Sequence, residues 1–239
     1  MRVGVDGCKK GWFYVQLGDK DWKFGVVTEL SLLLDSLPDD SVVLVDIPIG
    51  LREAQGEGGR LCDIEARKAL GPKKSPCVFS APCRQAVYAS SYAEASDTNK
   101  RILDRKLSKQ SWAITSKIRE VDELFQGSRR TKSMVREVHP ELCFSGLSGA
   151  PMDHSKKKRE GFRERLKILA EHFPESVNLA DKALLQYRRY EVARDDILDA
   201  LVAAYCASRI GDCSTLPGEP EIDPRGLRME MVYLPQGAL

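Results

Sequence analysis

Apolar and polar positions alternate over short runs at the start of the chain, and this period of two predicts strands. The runs at 2–6 (RVGVD), 12–17 (WFYVQL) and 21–27 (DWKFGVV) are rich in β-branched and aromatic residues, which favour strands. GCKKG joins the first two runs, and Asp19 and Lys20 would form the tip of the second connection. We therefore expect an antiparallel meander of three strands.

A helix and a fourth strand follow the meander. The segment ELSLLLDSL at 29–37 has the apolar spacing of a short amphipathic helix, and Pro38 would end it. SVVLVDIP at 41–48 is almost continuously apolar, which is typical of a strand covered on both faces. A buried strand after a meander and a helix predicts an α/β fold.

The pattern changes after the fourth strand. Residues 50–130 are rich in charge, Gly and Ala, with helical patterns near 60–70, 84–96 and 108–126. We interpret this stretch as a helical insertion between strands four and five, within a single domain that spans residues 1–239.

The rest of the chain supplies a fifth strand and the helices that would cover the sheet. In order, the pattern predicts a strand at 134–141, a helix from about 156 that includes 166–173, a helix over 183–210, a proline-rich connection at 217–224 and a final edge strand at 227–234.

Composition narrows the class of protein. Lys and Arg number 37 against 35 Asp and Glu, so the net charge of +2 excludes a histone-like polyelectrolyte but not local basic patches. No apolar run approaches the roughly 18 residues of a membrane span, and the N-terminus has no apolar signal core. We expect a cytoplasmic protein with no membrane partner. The seven cysteines include no CxxC pair, so a cysteine-rich zinc site is not indicated.

Four acids stand where the predicted elements would bring them together. Asp6 ends the first strand and Asp46 ends the fourth, and function in open α/β sheets collects at the carboxyl ends of strands. In RDDILDALVAAY, at 194–205, Asp196 and Asp199 are three residues apart and share a helix face. If strands one and four are neighbours, this helix can bring both acids over Asp6 and Asp46.

Carboxylates that meet at one point repel one another unless a cation lies among them. Hard oxygen ligands select Mg²⁺ or Mn²⁺, and two such ions about 4 Å apart can promote phosphodiester hydrolysis. Structural alternatives stay open, because Asp6 could cap the GCKKG turn, Asp46 could close a loop and Asp199 could pair with a buried arginine. Asp195 fits the start of the helix, where an acid favours the dipole.

Several motifs in order carry a resemblance to a known family. They are VGVDGCKKGW, DIPIGL, RLCDIEARKALG, KIREVDE, REVHPELCF and DDILDALVAA. From residue 3 to about residue 210 the chain resembles the DUF429 family, which is described as predicted ribonuclease-H-like nucleases. The resemblance implies a ribonuclease-H-like fold, a mixed five-stranded sheet in the order 3-2-1-4-5 with helices on both faces.

The resemblance also implies roles for the acids. The last helix is similar to the catalytic helix of Holliday-junction resolvases, in which two Asp three residues apart precede Ala-Leu, and these map to Asp196 and Asp199. The first-strand and fourth-strand acids of that superfamily map to Asp6 and Asp46. All four would be metal ligands and catalytic residues, although a shared fold does not ensure a shared function.

The motif REVHPELCF adds candidates beside the fourth strand. Glu137 and His139 are two residues apart and would share a strand face. One could be a further metal ligand, and His139 could carry a proton near neutral pH. The alternative is a polar network that holds the turn into the next helix, which Glu141 would cap.

Basic residues near these motifs are candidates for phosphate contacts. We expect Lys9, Arg52, Lys156 and Arg163 to bind substrate, with Lys156 and Arg163 seven apart on one helix face. A solvated surface is the alternative for each of them.

Residues of the insertion could form a lid or a specificity surface. The candidates are Arg60, Asp63, Arg67 and Arg84, and Gln110 and Trp112 could bond or stack on a base. Burial in the core is the alternative for Trp112.

Three functions remain open from the sequence. The first is metal-dependent phosphodiester hydrolysis on nucleic acid or a nucleotide. The second is a non-catalytic module that binds nucleic acid or nucleotides on the same fold. The third is an actin-like phosphotransferase, because VGVDGCKKG also resembles a phosphate-binding hairpin, although such enzymes need a duplicated core. A homodimer is an assembly that the sequence allows.

Overall fold

The main sheet of the protein has the predicted topology. The structure is a computed structural model that describes residues 1–18, 21–56 and 58–237, so the predicted tip at Asp19 and Lys20 lies outside the described residues. The strands are β1 (Arg2–Cys8), β2 (Gly11–Leu17), β3 (Trp22–Val27), β4 (Val42–Val45) and β5 (Val135–Glu137). Their order is β3-β2-β1-β4-β5, with β1, β2 and β3 antiparallel and β1, β4 and β5 parallel. The predicted α/β fold with a mixed 3-2-1-4-5 sheet is confirmed.

Helices occupy most of the chain outside the sheet. They are α1 (Leu30–Asp35), α2 (Leu61–Lys74), α3 (Arg84–Val87), α4 (Tyr92–Leu103), α5 (Lys109–Ala113), α6 (Thr115–Leu124), α7 (Arg129–Met134), α8 (Pro140–Ser148), α9 (Arg159–His172), α10 (Ser176–Gln186) and α11 (Arg194–Ser208). Within the described ranges, no helix combines the length and the apolar character that crossing a bilayer requires.

The chain divides into two compact units. The first unit comprises Met1–Asp46, Ser133–Ser214 and Val232–Leu239, and it contains the main sheet. The second unit comprises Ile47–Lys132 and Thr215–Met231. The segment predicted as a helical insertion, 50–130, lies in the second unit and is helical from α2 to α6.

The end of the chain differs from its prediction. The proline-rich stretch at 217–224 belongs largely to a strand, β6 (Ser214–Ile222), which pairs with β7 (Arg228–Tyr233) in a two-stranded sheet. Proline is tolerated here because a two-stranded ribbon consists of edge strands only. The strand predicted at 227–234 exists, but its ladder is with β6, and its described contact with the main sheet is one bridge between Val232 and Val138.

Three predicted elements are shorter than expected. The fifth strand ends at Glu137 because Pro140 begins α8, a position that proline favours. The helix expected from about 156 begins at Arg159, and the stretch 183–210 holds the end of α10 and a separate α11. The later start of α9 places Lys156, a predicted substrate contact, before the helix and not within it.

Helix α11 is the central element of the first unit. Its residues Ile197–Ala207 are all buried, so it is a core helix with no solvent face. It packs on β1 so closely that a Cβ on Gly4 would lie 2.1 Å from the carbonyl oxygen of Ala200 and 2.1 Å from the amide nitrogen of Ala204. Glycine on the strand and alanines on the helix together allow this approach.

Candidate metal site

The first two acids of the site are neighbours because of strand register. Val5 of β1 pairs with Val45 of β4 in a parallel ladder, so the next residues lie side by side: Asp6 inside β1, which continues to Cys8, and Asp46 directly after β4. The ladder continues one step further, since the N–H of Asp46 donates to the carbonyl oxygen of Val5 at 3.0 Å. Oδ1 of Asp6 accepts from the N–H of the next strand residue, Gly7, at 2.7 Å, which restrains the carboxylate.

Helix α11 brings the third acid to the same point. Ligand oxygens of Asp6, Asp46 and Asp199 all lie within 4.8 Å of one another, and we name these three residues the acid cluster. Asp199 is only 1% exposed, and its Oδ1 has no hydrogen-bond partner in the described part of the chain. At about 5 Å, two carboxylates repel by roughly 3 kcal/mol at an effective dielectric of 20. The cluster therefore requires either positive charge or bound protons.

Part of that charge comes from Lys156. Its ammonium bonds and ion-pairs with Oδ2 of Asp199. The sequence had suggested a buried arginine as the structural partner of Asp199, and the structure has a lysine there instead. Because α9 begins at Arg159, Lys156 lies in the turn before the helix and shares no helix face with Arg163, which is exposed.

The turn that carries Lys156 is held by buried bonds. Arg165 of α9 ion-pairs with Glu141 of α8 and donates to the carbonyl oxygens of His154 at 3.2 Å and Gly161 at 2.9 Å. Glu164 accepts from the N–H groups of Asp153 and His154 at 2.7 and 3.0 Å. These bonds fix the backbone just before Lys156 and direct its side chain to the acid cluster.

Close backbone packing adds to that restraint. A Cβ on Gly161 would lie 2.1 Å from the carbonyl oxygen of Ser155. The start of α9 therefore presses directly on the turn, and only glycine fits at this position.

Burial and mutual repulsion perturb every acid of the cluster. Burial raises the pKa of Asp6 well above its usual range, and the charges of Asp46 and Asp199 raise it further. Burial raises the pKa of Asp46 to about 8, even though Lys156 lowers it. The pKa of Asp199 is also raised, chiefly by burial, and Lys156 again opposes the shift.

The lysine responds in the opposite sense. Burial alone would lower the pKa of Lys156, but the charges of Asp199, Asp6 and Asp46 raise it well above its ordinary value. The lysine is therefore held as an ammonium, and the acids are held in a setting where an additional cation would be favourable.

The donor set fits a hard divalent cation. All three ligands are carboxylates, which suit Mg²⁺ or Mn²⁺ better than softer metals. Oxygens less than 5 Å apart can reach one ion with small side-chain movements, given Mg²⁺–oxygen distances of about 2.1 Å. Oδ1 of Asp199 supplies a lone pair for which no described residue provides a donor. Asp6, Asp46 and Asp199 would hold the ion.

Asp196 lies beside the acid cluster but has a structural bond of its own. It is in the first turn of α11, and its Oδ2 accepts from the N–H of Ala193 at 2.8 Å, which caps the helix. Burial raises its pKa to about 7 against this bond, with Asp195 and Asp199 adding to the rise. Its predicted role as a ligand remains a prediction, and Asp195 is half-buried at the helix start.

Glu137 and His139 do not share a strand face, because β5 ends at Glu137 and His139 lies after it. Glu137 is buried and pairs in register with Val45, one residue before Asp46. Since side chains alternate along a strand, we expect it on the opposite face from Asp46, although its charge raises the pKa of Asp46. His139 is half-buried and is the N-cap residue of α8. Their catalytic roles stay predictions.

The other predicted substrate contacts have mixed positions. Lys9 is exposed in the β1–β2 turn. Arg52, in the second unit, donates from Nη2 to both carboxylate oxygens of Glu221 at 2.6 and 2.8 Å. That guanidinium already has a carboxylate partner, so its role as a substrate contact competes with an ion pair.

Buried ion pairs account for most of the insertion residues that the sequence singled out. Arg60 and Asp63 form a fully buried pair at 2.5 Å. Arg84 ion-pairs with Glu53, Asp122 and Asp223, and we name these four residues the Arg84 cluster. Trp112 packs edge-on to Tyr92, at 6.2 Å between ring centroids, against an apolar core, which favours the core interpretation of that tryptophan.

Sequence reasoning missed the residues that position the site. They are Gly4, Gly161, Glu164 and Arg165, which act through contacts outside their own elements. Glu141, which the sequence suggested as a helix cap, ion-pairs with Arg165 instead. Gly4 within VGVDG carried the one signal that could have been found, because an isolated glycine in a strand marks a close backbone approach.

Comparison with known proteins places the chain in a family. The family model described as "Protein of unknown function (DUF429)" matches residues 4–222, which is nearly the whole chain. No match was found among curated proteins or among solved structures. The resemblance carried by the motifs is therefore confirmed at the level of the family, and the chain belongs to the DUF429 family.

Proposed function

We propose that the protein is a metal-dependent phosphodiesterase that acts on nucleic acid or a nucleotide. The observation that carries the proposal is the convergence of Asp6, Asp46 and Asp199 within 4.8 Å. These residues come from β1, β4 and α11, the positions at which the ribonuclease-H-like superfamily is expected to carry its acids. When bound, Mg²⁺ or Mn²⁺ would polarise a phosphodiester and make a water a stronger nucleophile.

Each residue of the site would have a distinct task. The acid cluster would bind the cation, and the buried setting would exclude bulk water from it. Asp196, whose Oδ2 is engaged by Ala193, would orient a water with its other oxygen or join a second ion. Lys156 would contact a non-bridging phosphate oxygen, because its ammonium already lies at the acid cluster. Once a cation neutralises the three carboxylates, the phosphate is the anion that remains for the ammonium to bind.

Outlying residues would contact the rest of the substrate. Lys9 and Arg163 are exposed and suit phosphates away from the reacting one. Arg52 belongs to the second unit and pairs with Glu221, and its predicted substrate contact remains a prediction. Glu137 and His139 remain candidates for proton transfer or for an added ligand. The net charge of +2 favours a short or small substrate over a long duplex, which needs many phosphate contacts.

Metal binding and cleavage should be measured separately. Isothermal titration with Mn²⁺ tests the site, and a cleavage screen with Mg²⁺ and Mn²⁺ over structured and single-stranded DNA, RNA and dinucleotides tests the activity. Asp199→Asn should weaken Mn²⁺ binding at least about 10-fold and remove cleavage.

A matched control is available on α10. Asp181 is exposed, and Asp181→Asn should change neither Mn²⁺ binding nor cleavage. Cleavage that survives both Asp6→Asn and Asp199→Asn would disprove the proposed centre.

A metal-independent binding module is the second candidate, and Lys156 is the observation that favours it. A lysine that ion-pairs with Asp199 could serve as a permanent counter-ion for the acids. Lys156→Met separates the two functions. If the site binds metal, the variant should be less stable than the wild type in EDTA and should regain that stability when Mg²⁺ is added. A loss that Mg²⁺ does not repair would favour the binding module.

A further inference from the structure

The second unit contains a cavity whose lining is basic. Its volume is about 350 Å³, and its described lining residues include Arg67, Arg105 and Lys106 but no acid. None of its lining residues belongs to the acid cluster, so a ligand in this cavity does not depend on the proposed function.

Two guanidinium groups converge on one hydroxyl in this cavity. Nη2 of Arg67 donates to Oγ of Ser80 at 2.6 Å, and Nη1 of Arg105 donates to the same oxygen at 2.5 Å. A hydroxyl has two lone pairs and one hydrogen, so both lone pairs are used. In the residues that the structure describes, the hydrogen of Ser80 has no acceptor, and it is left to donate into the cavity.

The backbone holds both arginines in place. Nε of Arg67 donates to the carbonyl oxygen of Val78 at 3.0 Å. Helix α4 ends at Leu103, and its C-cap Asp104 has a left-handed φ of 55°. Nδ2 of Asn99 donates to the carbonyl oxygen of Arg105 at 2.9 Å. The two cations are therefore brought together by the fold and not by chance contact on a mobile surface.

The protein supplies little negative charge in return. Burial lowers the pKa of Arg105, and the charge of Arg67 lowers it further. Asp63 opposes that shift, but Oδ1 of Asp63 is bonded by Arg60 and Oδ2 by the N–H of Ala81. No described carboxylate ion-pairs with Arg67 or Arg105. Donors and positive charge that converge without an acceptor are the features of an anion site.

We infer that this cavity binds the phosphate monoester group of a small organic molecule. Three cations match a dianion better than the single charge of a diester, and arginine forks suit phosphate oxygens. The volume falls within the roughly 300–1,000 Å³ of small-molecule sites, so it leaves room for an organic group beside the phosphate. Val78 and Leu107 supply apolar wall, and Gln110 supplies a polar group for that part of the ligand.

Titration calorimetry with four probes tests the chemistry of the ligand. The probes are AMP, cyclic 3′,5′-AMP, adenosine and inorganic phosphate, all in EDTA so that no divalent ion brings phosphate to the acid cluster. AMP should bind at least about 10-fold more tightly than cyclic AMP, since the diester loses one charge and one charge-assisted bond. Inorganic phosphate should bind more weakly than AMP, and adenosine should not bind.

Two variants test the residues. Arg105→Gln removes a guanidinium that bonds only Ser80 among described side chains, and it should weaken AMP binding at least about 10-fold. Ser80→Asp supplies an internal carboxylate between the two arginines, so it should abolish AMP binding and raise the melting temperature of the free protein. Lys68 of α2 is exposed, and Lys68→Gln is the matched control, which should bind AMP like the wild type.

The stability of the Ser80→Asp protein separates loss of the site from loss of the fold. Loss of AMP binding in a variant that is more stable than the wild type would support the site, because a misfolded variant cannot give that result. The inference is overturned if AMP does not bind to the wild type at millimolar concentration, or if Arg105→Gln and Ser80→Asp bind it as tightly as the wild type. Equal affinity for AMP and cyclic AMP would also overturn it.

Discussion

The acid cluster and the Arg84 cluster are both buried groups of charge, and they differ in how their charges are balanced. In the Arg84 cluster each oxygen of the two buried acids has a donor. Oδ1 of Asp223 accepts from the N–H groups of Arg225 and Leu227, and its Oδ2 accepts from Leu51 and Arg84. Both oxygens of Asp122 accept from Arg84.

The acid cluster lacks such balance. Three carboxylates share one lysine, the pKa values of all three acids are raised, and Oδ1 of Asp199 has no partner in the described chain. A group in which every charge and every oxygen has a partner serves to join segments of the chain, here the segments near residues 50, 84, 122 and 223. A group that leaves charge and lone pairs unused is built to receive something else, and perturbed acids of this kind mark functional sites.

Removal of the cation from the balanced cluster should have the largest effect on stability. Arg84→Met leaves Asp223 buried without its described counter-ion and leaves Asp122 with Arg225 alone, so the free energy of unfolding should fall by about 3–5 kcal/mol. Urea denaturation measures it. The control is Arg101→Met, at an exposed position of α4, which should change stability by less than about 0.5 kcal/mol. Equal losses for both variants would mean that the Arg84 cluster does not stabilise the unit.

A second variant tests whether core packing, and not internal bonding, holds the acid cluster together. A Cβ at Gly4 meets the backbone of Ala200 and Ala204, so Gly4→Ala should push α11 from β1 and cost about 1–3 kcal/mol. Because that shift separates Asp199 from Asp6, Mn²⁺ affinity should fall as well. Gly211→Ala is the control, since a Cβ there meets nothing within 4 Å. Unchanged Mn²⁺ affinity in a destabilised Gly4→Ala protein would contradict this account.

The comparison also predicts that one substitution, Asp199→Asn, changes stability in opposite directions without and with metal. In EDTA at pH 8, Asp199→Asn removes a repelling charge from the acid cluster, and the free energy of unfolding should rise by on the order of 1 kcal/mol after the loss of the Lys156 pair is included. In saturating Mg²⁺ the same variant should be less stable than the wild type, because it forgoes stabilisation by the bound ion. Thermal unfolding under both conditions measures the reversal. A loss of stability under both conditions would refute the idea of unbalanced charge.

Stability without metal should also depend on pH. The pKa values of Asp46 and Asp196 are raised to about 8 and about 7, whereas an unfolded Asp has a pKa of about 3.9. The folded protein thus keeps protons that the unfolded chain has released, so the free energy of unfolding should fall as pH rises from about 4 to 8. The contribution is complete below about pH 4.

Chemical denaturation across this pH range in EDTA measures the slope. Asp46→Asn should flatten it, and saturating Mg²⁺ should reverse it, because carboxylates bind metal only after they lose their protons. Stability that rises between pH 5 and 8 in EDTA would contradict the predicted shifts.

The sequence carries the sheet and the positions of its acids because both depend on local pattern. The sequence shows strand runs with a period of two and a buried run that ends on Asp46. It also shows the acid pair that is followed by apolar residues in α11. The Lys156 turn is different. Its place at Asp199 depends on Arg165 and Glu141, which meet only after α8 and α9 have packed, and no spacing in the sequence encodes that meeting.

Dependence on contacts between elements also explains why β6 and the basic cavity were not predicted. The stretch at 217–224 was interpreted as a connection because prolines normally interrupt ladders, and only a two-stranded partner makes β6 acceptable. Arg67 and Arg105 lie 38 residues apart and are linked through Ser80, so their cavity has no motif. Local pattern reveals which residues end an element, whereas shared contacts between elements must be observed.

The burial of α11 has a consequence for motion. An element that is enclosed along Ile197–Ala207 opens only when the unit unfolds, so the amide hydrogens of Leu201 and Ala203 should exchange with solvent only through global unfolding. Asp199 therefore does not rearrange to suit its occupant. The side chain of Lys156 is 34% exposed, so it can change its conformation while the backbone of its turn stays fixed. Adaptation to different occupants of this site falls to the lysine, while the carboxylates remain a rigid template.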